Sequence, residues 1–275
     1  MAFEYPGAGA LDYFPCRYGK SKLLFRGPRR DLDGRFCAVL GGTETYGKFL
    51  PRPYPALVEA GIGLRMVNLG CVSAGVDVYL QDQALLDLAG QAHVVLVQVL
   101  GAANLTNPFY AVHPRRNDRF LRAAPELCTL FREVDFADFH FTRHMLQTLQ
   151  TVSPEKFEVL ARALRATWIT RMRLLLARIG GRSLLVWIAD QPPPAAGSPV
   201  LLTRSPVLVD ADMLAEVQPF ATAYVECVSS PEARAAGRAG MAYAPLDELA
   251  ATELPGPAVH AEIAARLMPV LQAML

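Results

Sequence analysis

Three things are missing from this sequence: a metal-binding cysteine pattern, a strong charge of either sign, and an apolar run long enough for a membrane. The five cysteines, Cys16, Cys37, Cys71, Cys128 and Cys227, are scattered, odd in number and mostly set in apolar runs, as reduced core thiols are. They point to the cytoplasm and to no metal site. Lys and Arg number 27 against 26 Asp and Glu, a net charge of +1, so neither nucleic acid nor a membrane is an expected partner. The opening residues, MAFEYPGAGALDYF, have no basic region followed by an apolar one, so a signal peptide is not expected either. Apolar residues, in contrast, make up 52% of 275. That fills one α/β domain with a full core and a large insertion, and suggests a buried homo-oligomer contact.

The chain is organised around Phe36 to Gly47, FCAVLGGTETYG, an apolar strand emptying into a glycine-rich turn. Ligands bind beyond the carboxyl ends of strands in a parallel sheet, so Thr43, Glu44 and Thr45 stand where a substrate would be met. Gly42 to Lys48 also fits a phosphate loop, G-x-x-x-x-G-K. However, Phe49 replaces the Mg²⁺-binding hydroxyl, and Pro51, Pro53 and Pro55 leave no room for the following helix. No cofactor is expected.

Further strands are expected at Arg65–Leu69, Val94–Leu100, Leu184–Ala189 and Thr222–Val228. Helical patterns between them give the alternation of a parallel sheet. Residues 1–35 read as an N-terminal arm, with Arg26, Arg29 and Arg30 either solvated or gripping an anion. Residues 105–181 read as a helical insertion. Its long helix starts at Ser153-Pro154 and carries an apolar stripe of Phe157, Leu160, Leu164, Trp168, Met172, Leu175 and Ile179.

The string Gly41-Gly42-Thr43-Glu44-Thr45-Tyr46-Gly47 resembles G-D-S-x-T-x-G, the nucleophile block of the SGNH (GDSL-type) hydrolases. Gly41, Thr45 and Gly47 match, Gly42 replaces Asp, and Thr43 replaces the nucleophilic Ser. Gly75, beyond the second strand, resembles the oxyanion glycine of the second block, and Asn104 the asparagine of G-x-N-D. His260, just before the last helix, resembles the histidine of D-x-x-H, with Pro257 in place of the Asp. GGTETYGKF, HPRRNDRF and DFHFTRH are also similar to strings of a bacterial family of unknown function.

The resemblance implies a three-layer α/β/α fold around a five-stranded parallel sheet, SGNH hydrolase-like and flavodoxin-like, formed by residues 36–104 and 182–275. The implied chemistry is acyl transfer through a covalent ester. Thr43 Oγ1 would attack, His260 would take the proton, and the Gly75 N–H and Asn104 amide would hold the oxyanion. Glu253, Asp247 or a backbone carbonyl would replace the missing Asp. The threonine methyl crowds such a turn and restricts χ1.

Two functions are therefore expected to compete. One is an esterase or acyltransferase on an acylated, anionic, carbohydrate-like substrate; the other is a catalytically reduced binding protein for an anionic ligand. The expected partner is a small molecule or glycan, met by Glu44 and Thr45. Arg116, Arg119 and Arg122 recur at helical spacing and, with Arg115 and His113, form a basic face for an anion or a solvated surface. His140 and His144 have zinc-compatible spacing near Asp135 and Asp138 but lack a third ligand motif.

Overall fold

The computed structural model describes residues 9–275, so the first eight positions of the expected arm lie outside the described residues. The first half of the chain gives β1 (Phe36–Leu40), α1 (Thr43–Tyr46), α2 (Tyr54–Ile62), β2 (Arg65–Asn68), α3 (Asp77–Leu80), α4 (Gln83–Gln91) and β3 (Val94–Gln98). A hairpin, β4 (Tyr110–His113) and β5 (Arg116–Ala123), precedes α5 (Pro125–Leu130), α6 (Thr142–Val152) and α7 (Pro154–Ile179). The chain then returns through β6 (Ser183–Ala189), α8 (Ala211–Val217), β7 (Ala223–Val228), α9 (Pro231–Ala235), α10 (Glu248–Thr252) and α11 (Pro257–Met274).

Five strands pair in parallel in the order β2-β1-β3-β6-β7. Ala38 pairs with Val67 on one side and Val95 on the other, and Leu185 pairs with Tyr224. These strands are nearly continuous apolar runs because helices cover both faces. One face packs on α3, α4, α7 and α8, the other on α2, α9 and α11, giving three layers. The five strands expected from sequence are thus the five observed, to within two residues at each end.

The expected insertion divides. Ser153 caps α7 by accepting the Lys156 N–H, with Pro154 in the first turn. All seven residues of the α7 stripe are buried within this chain, in the same core as β1 and β3. The helix is therefore the crossover between β3 and β6, and its stripe is part of this chain's own core. Among the described residues no helix is long and apolar enough to cross a membrane.

Arg116, Arg119 and Arg122 do not share a helix face, because they lie on β5. Tertiary pairing overrides their spacing: β4 and β5 form a two-stranded antiparallel sheet, turning at Pro114-Arg115. The hairpin is tied to the main domain by Asn117, which is buried. Its Oδ1 accepts the N–H groups of Gly75 and Val78, and its Nδ2 donates to the His113 carbonyl. Removing this amide leaves the buried Gly75 N–H unpaired and the Val78 N–H with only the Gly75 carbonyl oxygen, at 3.3 Å. Asn117→Ala should therefore lose about 2–5 kcal/mol in urea denaturation, with Arg115→Ala within about 0.5 kcal/mol of the parent.

Candidate active-site cleft

At the carboxyl ends of β1 and β3 lies a cleft of about 540 Å³. From β1 the chain steps to β2 on one side and then to β3 on the other, so this is the point where strand order reverses and open α/β sheets bind ligands. Thr43 and Glu44 enter from the turn after β1, Ser73 from the loop after β2, and Asn104 from the loop after β3. The start of α6 contributes Thr142, Arg143 and His144. Arg204 closes the cleft from the segment before α8.

The turn is held from behind by Gln98, a polar residue only 3% exposed at the end of β3. Its Oε1 accepts the Gly42 N–H at 2.8 Å and the Thr45 hydroxyl at 2.6 Å. A backbone N–H can only donate, so the amide orientation is fixed and Nε2 must face outward. There it donates to Glu44 Oε2 at 2.8 Å. Gly41 is required at this turn, because a Cβ would overlap Thr45 Oγ1. Behind it, the Tyr79 hydroxyl accepts the Gly41 N–H and lies against the Gly41 and Leu69 carbonyls.

Thr43 Oγ1 accepts the Ser73 N–H at 2.9 Å, and its own proton has no acceptor among the described residues. Ser73 holds a left-handed backbone, φ 55°, a conformation that costs a non-glycine residue about 1–2 kcal/mol and here aims that N–H at Thr43. Asn104 also lines the cleft. Its Oδ1 accepts from Thr142 Oγ1 at 2.7 Å and its Nδ2 donates to the Ser73 carbonyl at 3.2 Å, so one amide proton stays uncommitted among the described residues.

The other expected site residues lie elsewhere. His260 is 1% exposed, outside the cleft lining, and its Nδ1 accepts the Tyr54 N–H at 3.0 Å. Pro257 starts α11, so His260 falls on the helix face it shares with Ile263, Ala264, Leu267 and Leu271, the face that packs on α2. Burial, with a smaller contribution from Arg26, lowers its pKa from 6.5 to about 3. It is neutral at pH 7 and far too weak a base to take a proton efficiently there.

Gly75 does not reach the cleft, because its N–H is consumed by Asn117. It is glycine because a Cβ would overlap the Asn104 carbonyl oxygen. Thr45 is fully buried, bonded to Gln98 and the Tyr54 hydroxyl, so it supports the turn rather than touching ligand. Glu253 borders a neighbouring cavity of about 570 Å³, which Glu44 and Arg204 also line.

The expected arginines are likewise displaced. Arg115 borders a groove on another side, Arg119 lies over the Phe141 ring at 4.2 Å, and neither lines the cleft, nor does Arg116. The charges of Arg119 and Arg116 act instead on Asp118, a cleft carboxyl whose pKa is raised by burial and partly restored by them. Arg26 donates to the Gly47 and Leu50 carbonyls, and Arg30 pairs with Glu59. His140 precedes α6, while the His144 ring meets Phe139 edge-on.

The sequence did not single out Gln98, Asp118, Thr142, Arg143 or Arg204 for the cleft, and offered His144 only as a metal ligand with His140. For Gln98 a signal existed: a lone amide inside the apolar run VVLVQVL is the kind of buried polar group that calls for an explanation.

Fold and cleft together define a doubly wound α/β protein with a cleft at the switch point of its sheet. The chain belongs to the family described as a domain of unknown function, DUF6473, which it matches over residues 1–275. A search of curated proteins finds no match. Solved structures similar to it include a lipase from goat rumen metagenome, at 9% identity and TM-score 0.43, covering 85% of this chain and 97% of that one. A family two carbohydrate esterase from Clostridium thermocellum, in complex with cellohexaose, is 11% identical with TM-score 0.44, over 92% of this chain and 68% of that one. A protein of Lactobacillus plantarum is 14% identical with TM-score 0.41, over 88% and 98%.

The buried histidine makes stability pH-dependent. Unfolded, it binds a proton below pH 6.5; folded, it does so only near pH 3. Between these values the unfolded state holds more protons, so stability is complete above pH 6.5 and falls with acidification, by at most about 5 kcal/mol at pH 3. Guanidinium denaturation at pH 7 and pH 4.5 should show this loss, and His260→Gln should flatten the dependence.

Proposed function

We propose that the cleft processes a small, anionic ester, as an esterase or acyltransferase. One observation carries this reading: a hydroxyl (Thr43), a carboxylate (Glu44) and an amide with a free proton (Asn104) line a single cleft at the switch point of the sheet. These are the donor and acceptor types that ester chemistry needs around a carbonyl. The anion-binding groups are Arg143 and Arg204, which take the role first expected of Arg115, Arg116 and Arg119. Arg143 is exposed and makes no ion pair among the described residues.

A second reading, ligand binding without turnover, draws support from His260. With that base sealed in the core, the triad implied by the resemblance has no working histidine.

Purified protein assayed with p-nitrophenyl acetate and mono-p-nitrophenyl succinate separates the two. The first reading predicts turnover above buffer, a preference of about tenfold or more for the succinate ester, and loss of that preference in Arg143→Met. Absence of turnover, with succinate raising Tm, would assign the cleft to binding alone.

A further inference from the structure

We propose that Glu44, and not a Thr43–His260 pair, is the group that moves the proton in this cleft, with Thr43 serving as a hydrogen-bond donor to the substrate carbonyl. This rests on the ester-processing reading. Glu44 is held on one side only: Oε2 accepts from Gln98, and Oε1 has no protein partner among the described residues and is not a buried orphan atom. Nor does the carboxylate form an ion pair among the described residues. An acceptor fixed from behind by a buried amide whose flip is forbidden, with its second oxygen left to the cleft, is placed to receive a proton rather than to brace the fold.

One hydroxyl and one amide, Thr43 and Asn104, do the remaining work. No base lies within hydrogen-bond reach of Thr43 Oγ1 among the described residues; its one partner there is the Ser73 N–H, which donates to it. A hydroxyl in that position is not activated for attack, but its free proton can be given. Together with the uncommitted Asn104 proton it supplies two donors for a carbonyl oxygen.

The step uses water as the co-reactant. Water oxygen attacks the ester carbonyl carbon while Glu44 Oε1 takes one of its protons, and the carbonyl π electrons move onto the oxygen faced by Thr43 and Asn104. Collapse of this intermediate breaks the bond from carbon to the alkoxy oxygen. The departing alkoxide recovers the proton from Glu44, leaving a carboxylic acid, an alcohol and the carboxylate restored. No ester forms on the protein.

The test is hydrolysis of p-nitrophenyl acetate by wild type, Glu44→Gln and Thr43→Val, with far-UV circular dichroism on each. Glutamine is isosteric and still accepts from Gln98, so the fold is retained. Glu44→Gln should lower kcat/KM by about 10²–10⁴-fold and abolish the acid limb of its pH profile. Thr43→Val should lower it by about 10²–10³-fold with that limb intact. Wild type should show no burst and no mass adduct with phenylmethylsulfonyl fluoride. Glu44→Gln within threefold of an active wild type, or a burst or adduct mapping to Thr43, overturns the proposal while leaving the ester reading standing. A wild type that hydrolyses nothing overturns both.

Discussion

One buried amide holds the functional end of this protein together. Gln98 ends the central strand β3, and its carbonyl oxygen binds the neighbouring turn through the Gly42 N–H and the Thr45 hydroxyl. Left without partners in the core, such a group costs several kcal/mol, so the turn after β1 has little freedom to adopt another shape. The same amide then projects its N–H to Glu44. Support of the turn and orientation of the carboxylate are therefore one arrangement, and neither can be altered without the other.

Around this point the roles suggested by resemblance are redistributed. A histidine at the start of the last helix becomes the first member of a buried helical stripe, where it accepts a backbone N–H instead of facing solvent. The glycine after β2 gives its N–H to Asn117 from the hairpin, and its missing Cβ admits the Asn104 backbone. Thr45 turns inward to Gln98 and Tyr54. Among the groups that open onto the cleft are a threonine proton, an asparagine proton and a Glu44 carboxylate oxygen, with Asp118, His144, Arg143 and Arg204 also in its lining. The electrostatics follow: a carboxylate beside the β1 turn that forms no ion pair among the described residues, and cations contributed by α6 and the segment before α8.

Much of the scaffold was legible in the sequence because its signals are local. Strands such as VVLVQ and SLLVWIA are apolar on both faces, and Ser153-Pro154 announces the start of α7. The β4–β5 hairpin was not, since three arginines at positions 116, 119 and 122 satisfy a helical spacing by coincidence and the pairing that decides the matter is tertiary. Thr43, Glu44 and Asn104 line the cleft because each lies on a segment that leaves the carboxyl end of a strand. His260 misled because motif position and helix face compete there. Its spacing to Ile263, Ala264 and Leu267 was visible and favoured the face. The occupancy of the Gly75 N–H by a residue 42 positions away could be seen only in three dimensions.

The claim on which this account turns is that Gln98 presents Glu44 as a carboxylate acceptor to the cleft. The most direct measurement is NMR of the Gln98 side-chain amide during an acid titration. A single titration step in its ¹⁵N and ¹H shifts is predicted, lost in Glu44→Gln and retained in His260→Gln. An amide that does not titrate, or one whose titration disappears with His260 instead of Glu44, would contradict it.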